Sequence, residues 1–370
     1  MAKKQKSAVS DAWYSIQGKE QDVVLSTKAM LRRNLANFPF SPKLHDSESE
    51  RIQSIVFDAF NLMDDADSYQ IVPVDKLDET GVRIMKERGI LEDYEGKNAG
   101  IILRNDGLIS CTVNTNDHVV VSSYRSGFDL DAVSSSVYSI DMEMQKHVQF
   151  AASYEFGYLT RFLLNSGSGL SVFLLLHLPA CSLLQTVGSL AEKLSADGLI
   201  LSERFGSGGN ENLSGFSSCG SALGAFYVVS PKSSAGGTEL DQIASMQIAV
   251  QNIMKEERSA RKSCRNEHVT EIANYAFRSL ALAKASFFVS LRESIEIING
   301  VKFGVDMGIL EGIDDSELHA LLYRVQEGHL EYVLNLGKFK FEKDIVNNKR
   351  KQIERLRALI LQEVFEKIEK

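Results

Sequence analysis

The spacing of hydrophobic and polar residues divides this chain of 370 residues into two regions. Between residues 13 and 245, short apolar runs alternate with turn residues, and residues 50–62 and 76–91 carry apolar side chains at helical spacing. From residue 240 onward, amphipathic helical patterns follow one another. We therefore predict a disordered N-terminus over residues 1–12, a mixed domain over residues 13–245 and an all-helical domain over residues 246–370.

Five apolar runs in the first region have the length and composition of β-strands. They span residues 100–103, 108–113, 118–124, 158–164 and 172–178. The tripeptide Asn105-Asp106-Gly107 separates the first two runs and is typical of a hairpin turn. Because strands joined by tight turns pair antiparallel, the pattern predicts an α+β fold with an antiparallel sheet flanked by helices.

The final segment of the chain has the pattern of a helix that packs against other helices. Its apolar residues form one stripe at Ile353, Leu356, Ile360, Val364 and Ile368. Helical bundles commonly supply subunit contacts, so we predict a homodimer or a heteromer formed through the C-terminal helices. The alternative is a bundle that packs only within its own chain.

The composition is that of an ordinary globular protein, with 44% hydrophobic and 24% charged residues. The formal net charge of −8 argues against nucleic-acid binding, which needs a basic surface. No apolar run approaches the roughly 18 residues of a membrane span, and the basic N-terminus lacks the apolar core of a signal peptide. We therefore expect a cytoplasmic protein that contacts neither membranes nor nucleic acid.

The cysteines and histidines show no ligand spacing for a metal ion. The four cysteines, Cys111, Cys181, Cys219 and Cys264, are far apart, which is typical of reduced thiols in a cytoplasmic protein. His118 and His177 lie in apolar runs without an acidic or cysteine partner at ligand spacing. We predict no metal site, and structural roles for both histidines.

Residues 206–224 form a Gly- and Ser-rich segment that is too polar to be buried. A connection of this length is either a functional lid or a flexible insertion. A mobile loop is the default expectation, and ordering of the segment on a partner is the alternative.

The most informative motif is GYLTRFLLNSGSGLSVFLLLHLP, residues 157–179. Here Gly167 and Gly169 form a Gly-x-Gly turn between two apolar runs. Such a turn lets backbone amides approach an anion, because glycine adopts positive φ angles without strain. Phosphate sites usually add arginine, whereas Leu170 and Ser171 follow this turn. The motif therefore has the glycines of a phosphate-binding turn but lacks the arginine that usually accompanies them.

Several motifs occur in the order found in the ATP:guanido phosphotransferase family and are most similar to its bacterial protein-arginine kinase branch. Residues 24–35, VLSTKAMLRRNL, resemble the family's SSRxRLARNL motif, and residues 114–118 stand where the family has NEEDH. Residues 157–179 resemble GYLTxCPTNxGTGLRASVxLHLP, and residues 224–227 resemble GNxY. The resemblance implies a phosphagen-kinase-like domain over residues 13–245, followed by a helical domain of the dimerisation type.

Members of this family transfer a phosphoryl group from ATP to a guanidinium group, with magnesium and arginines neutralising the triphosphate. The resemblance places the family's five arginines at Lys28, Met30, Val120, Ser171 and Ser202. It places the catalytic glutamate of NEEDH at Asn116, the cysteine at Phe162 and the glutamate of a GEG motif at Ser207. The residues that would carry out the chemistry are therefore replaced almost completely.

These replacements predict a catalytically degenerate member of the family. A charge-assisted arginine contact contributes about 1.5–3 kcal/mol, and a micromolar nucleotide binds with about 8 kcal/mol, so losing four or five contacts removes most of that energy. We predict a pseudokinase with no nucleotide cofactor. It would act as a regulatory or scaffolding partner of its own copy, of a paralogous kinase or adaptor, or of a client protein.

Two alternative functions stay open. An active phosphotransferase that uses ATP and magnesium would bring Lys28, Arg204 or Arg161 to the phosphates, with Asp117 or Glu203 as the base. A phosphoarginine-binding module would use residues 347–350, NNKR, which stand near the position of the family's RDxxRA motif.

A residual anion site is a further hypothesis. It combines the basic residues Lys28 and Arg204 with three residues of the turn, Asn165, Gly167 and Gly169. Arg32 and Arg33 add to the basic cluster around Lys28 in the sequence.

Overall fold

A large antiparallel sheet forms the centre of the first region in this computed structural model, which describes residues 12–94, 96–206, 222–235 and 237–368. The strand order is β2-β3-β4-β5-β1-β8-β10-β9. The strands are Val24–Arg33 (β1), Tyr69–Pro73 (β2), Gly100–Arg104 (β3), Ile109–Val113 (β4), Val119–Ser126 (β5), Leu170–His177 (β8), Leu199–Glu203 (β9) and Phe226–Pro231 (β10). Ala152–Ser153 (β6) and Gly157–Tyr158 (β7) form a separate hairpin.

The helices lie on both sides of this sheet and make up the second region. They are Asp46–Asn61 (α1), Glu79–Glu87 (α2), Leu130–Gln145 (α3), Pro179–Leu183 (α4), Val187–Ala196 (α5), Glu239–Glu267 (α6), Val269–Ala285 (α7), Leu291–Asp306 (α8), Asp315–Arg324 (α9), Glu327–Leu336 (α10) and Lys349–Phe365 (α11). The α+β fold expected from the sequence is confirmed.

Strand alternation gives the central strand β1 two different faces. On one face, Ala29 and Leu31 join the main hydrophobic core together with Val56 of α1 and Val137 of α3. We call this the core face. Burying each such aliphatic side chain contributes about 1.5–3 kcal/mol, so the core face holds the helices onto the sheet. The opposite face carries Lys28, Met30 and Arg32, and we call it the site face.

The helical region packs on one end of the site face. A second hydrophobic core combines Leu175 of β8 and Phe226 of β10 with Ile297 and Val301 of α8. The apolar stripe of α11 contributes to this core and to a smaller neighbouring cluster. The predicted stripe therefore packs within its own chain, and assembly through the C-terminal helices stays a prediction.

Buried polar contacts fasten the helical region to the sheet. The Glu257 carboxylate accepts the backbone N–H groups of Ala180 and Cys181, at 3.2 and 3.0 Å. The His177 ring is 2.8 Å from Asn299 Oδ1 through its Nε2, which agrees with the predicted structural role. Burial opposes ionisation of Asp306, but the adjacent Lys302 and Arg261 outweigh it and lower the pKa to about 2.

The expected hairpin at Asn105-Asp106-Gly107 is confirmed, since β3 and β4 pair antiparallel and Gly107 has φ +70°. The expected strand over residues 158–164 is wrong. Within this run only Tyr158 belongs to a strand, Gly157–Tyr158, and a short 3-10 helix, Leu163–Asn165, follows. Hydrogen bonds between Tyr158 and Gly167 close residues 159–166 into a loop, which removes them from any ladder.

Other predictions concern residues without a described structure. The predicted disorder of residues 1–12 and the predicted mobile loop fall mostly on residues 1–11 and 207–221, which lie outside the described residues. Ser207 and Cys219 lie outside them as well. The predicted domain boundary at residue 245 falls inside α6 and stays a prediction. In the described part of the chain, no helix is both long and apolar enough to cross a membrane.

Candidate functional site

The strand register brings together four of the five positions that the resemblance assigns to arginines. Met30 pairs with Ser171 of β8, and Val120 of β5 pairs with Arg32, two residues after Met30. Lys28 lies two residues before Met30 on the same face. The fifth position, Ser202, is exposed on the edge strand β9, two strands beyond β8. The sheet thus collects the predicted residues on one face, as a nucleotide site would require.

The ammonium group of Lys28 contacts other residues of this chain. Its Nζ donates to the Gly89 carbonyl at 2.8 Å and lies 5.4 and 5.9 Å from the ring centres of Tyr124 and Phe173. Burial lowers the pKa of Lys28 to about 8, and nearby Arg32 and Arg204 act in the same direction while Glu92 opposes them. This lysine is a half-buried structural cation.

Met30, Val120 and Ser171 are uncharged and lie around Arg32, and we call them the uncharged patch. All three side chains are buried on the site face. The Ser171 hydroxyl is 3.2 Å from that of Ser234, so it belongs to a hydroxyl network within the fold. A thioether, an isopropyl group and a hydroxyl occupy the surface where the resemblance implies three guanidinium groups.

Arg32 belongs to the site, although the sequence motifs did not assign it a role there. Its Nη1 donates to Ser171 Oγ at 2.9 Å, so its guanidinium reaches the place that an arginine at 171 would occupy. Alternation along β1 was the available signal, because positions 28, 30 and 32 share one face. Arg33, grouped with Arg32 in the sequence, lies on the core face. It donates to both carboxylate oxygens of Asp141, at 2.9 and 3.1 Å.

A carboxylate from a different segment lies near Asn116. The Glu92 side chain approaches Asn116 Nδ2 to 3.4 Å and Arg32 Nη2 to 4.0 Å. On the other side, Arg161 Nη1 donates to Asn116 Oδ1 at 3.1 Å. Arg161, Asn116, Glu92 and Arg32 therefore form a continuous polar line across the site, and nothing in the sequence pattern indicated the place of Glu92 in it.

Two residues beside this line, Asp117 and His118, are buried and hydrogen-bonded to neighbouring segments. Asp117 is fully buried, and its Oδ1 accepts from Asn34 Nδ2 and the Arg161 backbone N–H, both at 2.7 Å. Burial raises the pKa of Asp117. His118 accepts the Leu35 N–H at Nδ1, and burial lowers its pKa to about 4. Asp117 is held in the fold, which does not suit the role of a mobile base.

The Gly-x-Gly turn closes against its own chain. Gly167 and Gly169 have φ values of +103° and +69°. The Gly167 N–H donates to the Tyr158 carbonyl at 3.1 Å, and the Gly169 carbonyl accepts the Arg32 N–H at 3.0 Å. The Asn165 N–H closes a tight turn onto the Phe162 carbonyl. These contacts fit sheet architecture, and the residual anion site stays a prediction.

The other candidate residues lie at the rim. Phe162 is exposed, with its ring 5.1 Å from the Arg161 guanidinium. Glu203 and Arg204 are exposed at the end of β9. These residues are accessible to a ligand, while Lys28 is half-buried and Met30 is buried.

The region proposed for phosphoarginine lies far along the chain, at the start of α11. Lys349 and Arg350 form ion pairs with Glu331 and Glu354, both at 3.1 Å. They border a cavity of about 410 Å³. Buried Arg357 lies at its wall and donates to the carbonyls of Val325 and Val289.

Comparison with known proteins defines the class of protein that this fold and site represent. Residues 51–260 match the family described as ATP:guanido phosphotransferase, C-terminal catalytic domain, and the chain belongs to that family.

Within the family, the chain is similar to protein-arginine kinases over most of its length. It is 26% identical to the protein-arginine kinase of Halothermothrix orenii, over 90% of this chain and 93% of that protein. It is also 26% identical to the protein-arginine kinase of Clostridium acetobutylicum, over 90% of this chain and 96% of that protein.

Solved structures of phosphagen kinases share the fold. The duplicated taurocyamine kinase from Schistosoma mansoni, with bound transition state analog components, superimposes with a TM-score of 0.57 at 20% identity. That match covers 71% of this chain and 38% of the duplicated kinase. A lombricine kinase gives a TM-score of 0.54 at 18% identity, over 66% of this chain and 68% of that chain.

Proposed function

We propose that this chain is a non-catalytic member of the ATP:guanido phosphotransferase family, a relative of the protein-arginine kinases that acts as a regulatory or scaffolding partner. The observation that carries the proposal is the uncharged patch of Met30, Val120 and Ser171. These residues are buried on the site face, where Met30 pairs with Ser171 and Val120 pairs with Arg32, and they occupy three positions that the resemblance assigns to phosphate-binding arginines.

The charges near the patch do not fit a nucleoside triphosphate with magnesium. A triphosphate carries three to four negative charges, and each charge-assisted contact contributes about 1.5–3 kcal/mol. Lys28 already donates to the Gly89 carbonyl, and Arg32 reaches Ser171 with Glu92 nearby. Among carboxylates, Asp117 is buried and hydrogen-bonded in the fold. At the assigned positions Lys28 is the one cation in place of five arginines, and the other cations, Arg32, Arg161 and Arg204, stand at different places around the site.

Such a protein would act through its surfaces in the cytoplasm. The C-terminal helices are the proposed contact with a second copy, a paralogous kinase or an adaptor, because bundles of this kind commonly form interfaces. A client protein is the other proposed partner.

Two measurements test the proposal. Incubation with labelled ATP, magnesium and an arginine-rich protein should yield no phosphoarginine, with an active protein-arginine kinase as the positive control. ATP or ADP with magnesium should leave the thermal midpoint unchanged, whereas a ligand at 100 times its Kd would stabilise the fold by about 2.7 kcal/mol. Phosphoarginine formation that Lys28→Ala abolishes would contradict the proposal.

A second candidate is a phosphotransferase with a rebuilt site. The favouring observation is that Arg32 lies 2.9 Å from Ser171 Oγ and Glu92 lies 3.4 Å from Asn116 Nδ2. A cation and a carboxylate thus lie beside the positions of a lost arginine and a lost glutamate, although they differ from the residues expected. If phosphoarginine forms, Arg32→Gln and Glu92→Gln should each abolish it while Glu203→Gln does not.

A further inference from the structure

An exposed apolar surface borders the site. Phe162, Leu163 and Leu164 are consecutive, and their side chains are 48%, 77% and 64% exposed. The hairpin turn between β6 and β7, which precedes them in the chain, also exposes Tyr154 and Phe156. We call these five residues the apolar rim. Successive large apolar side chains in water are unfavourable for a folded chain and commonly mark a binding surface.

The apolar rim leads directly to cationic side chains. The Arg161 guanidinium lies 5.1 Å from the Phe162 ring centre and bonds Asn116. Asn116 contacts Glu92, and Glu92 faces Arg32. Arg32 and Arg204 both lie close enough to Lys28 to lower its pKa, although burial is the larger cause. Four cationic side chains therefore lie at or beside the site, although the whole chain carries a net charge of −8.

Arg32 uses little of its hydrogen-bonding capacity. A guanidinium has five N–H donors. Within the described residues, the polar contacts of this side chain are Ser171 Oγ at 2.9 Å, the Met30 sulfur at 4.0 Å and the Glu92 carboxylate at 4.0 Å. Its exposure is only 7%, so water replaces few of the missing partners. A closer carboxylate would satisfy this cation.

The neighbour of Arg32 in the site is a carboxylate, Glu92. The distance between Glu92 Oε1 and Arg32 Nη2 is 4.0 Å, which is longer than the 2.7–2.9 Å of a charge-assisted hydrogen bond. The Glu92 side chain is 43% exposed, so it can move toward solvent. It therefore acts as a loose intramolecular carboxylate that an incoming acidic group can replace.

We infer that this surface binds an acidic and apolar peptide segment of a protein partner. The peptide's carboxylate would replace Glu92 at Arg32, and its apolar side chains would cover Leu163 and Leu164. The inference rests on the proposed non-catalytic function and names the kind of partner. A basic peptide is disfavoured, because it would meet Arg161, Arg204 and Lys28.

The test uses short fluorescein-labelled peptides and the full-length protein, read by fluorescence anisotropy. The probe alternates Asp or Glu with Leu or Phe. Matched peptides carry Asn and Gln, or Lys and Arg, in place of the acids. We expect binding of the acidic peptide only, with affinity reduced by about tenfold or more when the amides replace the acids. Equal binding of the amide peptide, or preferred binding of the basic peptide, would overturn the inference.

Two variants locate the contact without risk to the fold. Leu163→Ser should weaken peptide binding by about fivefold or more, since it removes an exposed apolar contact. Leu240→Ser is the matched control, because Leu240 is 78% exposed on α6 and lies outside the apolar rim. Equal effects of the two substitutions would contradict the assigned surface.

Glu92→Gln gives an effect of opposite sign. Removing the intramolecular carboxylate should strengthen binding of the acidic peptide severalfold, and unchanged or weaker binding would contradict the inference. ATP with magnesium and inorganic phosphate serve as competitors. Competition by ATP together with phosphoarginine formation would reject the proposed function. Absence of both peptide and ATP binding would reject only this inference.

Discussion

Arg32 and Arg33 are neighbours in the sequence, yet they belong to two faces of the sheet with opposite character. On the core face, Arg33 bonds both oxygens of Asp141, donates to the carbonyls of Arg32 and Ser168 and lies 3.4 Å from the Tyr158 ring centre. On the site face, Arg32 has one good hydrogen bond and a distant carboxylate. The two residues show which interactions hold the fold and which belong to the site.

The difference explains how the fold can tolerate substitutions on the site face. The core face supplies the apolar burial and the satisfied ion pair that stabilise the sheet. The site face also packs against the helical region at Leu175 and Phe226, but among the described residues the part around Arg32 has no satisfied buried ion pair. In this part of the sheet, the stabilising ion pair and the candidate site lie on opposite sides of the same strands.

The largest expected effect comes from breaking the core-face pair. Asp141→Asn should lower the free energy of unfolding by about 3–5 kcal/mol, because it leaves the Arg33 cation buried without its counter-charge. Urea denaturation measures the change. A loss below about 1 kcal/mol would mean that Arg33 is not held as the structure indicates.

A smaller loss of stability is expected from a substitution at Gly169, in the turn that precedes β8. Gly169 has φ +69°, and an added Cβ would lie 2.6 Å from the Arg32 carbonyl oxygen and from Arg33 Nη1. Gly169→Ala should therefore destabilise the fold by about 2 kcal/mol or more. The control is Gly188→Ala in α5, where a Cβ meets nothing within 4 Å and the change should be neutral or stabilising. Equal effects at the two glycines would contradict this account.

The pH dependence of stability tests the half-buried Lys28. Its pKa falls from the ordinary lysine value of 10.5 to about 8 in the fold, mainly through burial, so the unfolded chain binds more protons between these values. The charged form therefore opposes folding at neutral pH, and this opposition is lost as the pH rises from about 8 toward 10.5. Lys28→Met should be at least as stable as the parent at pH 7, with its relative advantage shrinking as pH rises.

Thermal midpoints of the two proteins across that pH range provide the measurement. Comparing the variant with its parent cancels the titration of tyrosines and other shared groups. A constant difference between the two curves would show that Lys28 is not titrating in this range.

The smallest expected effect on stability comes from separating Arg32 and Glu92 on the site face. Glu92→Gln should change the free energy of unfolding by less than about 1 kcal/mol, because a half-exposed carboxylate 4.0 Å from its partner contributes little. The same urea assay applies, and the contrast with Asp141→Asn is the informative quantity. A loss of several kcal/mol would make Glu92 a structural partner of Arg32 and remove the distinction between the faces.

Much of the fold could be predicted from local patterns. The hairpin at Asn105-Asp106-Gly107 and the helices of the second region follow from turn chemistry and periodicity, and the structure confirms both. The strand predicted over residues 158–164 is wrong, although the run has the composition of a strand. Backbone hydrogen bonds between Tyr158 and Gly167 close it into a loop, and that pairing is not a local property.

The candidate site could be predicted only in part. The positions of Met30, Val120 and Ser171 followed from motif order, and their shared face follows from strand register. Arg32 could have been recognised by counting alternate residues along β1. Glu92 could not, because no periodic pattern links residue 92 to Asn116 or to Arg32.

The sequence alone was sufficient to predict the family, the α+β architecture and the uncharged residues at motif positions to which the resemblance assigns charged ones. These properties depend on residue identity, order and short-range periodicity. The tertiary structure decided that Arg33 stabilises the core while Arg32 faces the site. It also decided that Glu92 approaches both Arg32 and Asn116, and that Phe162, Leu163 and Leu164 face water. Contacts between distant segments depend on how strands and loops pack, and side-chain alternation makes adjacent residues face opposite environments.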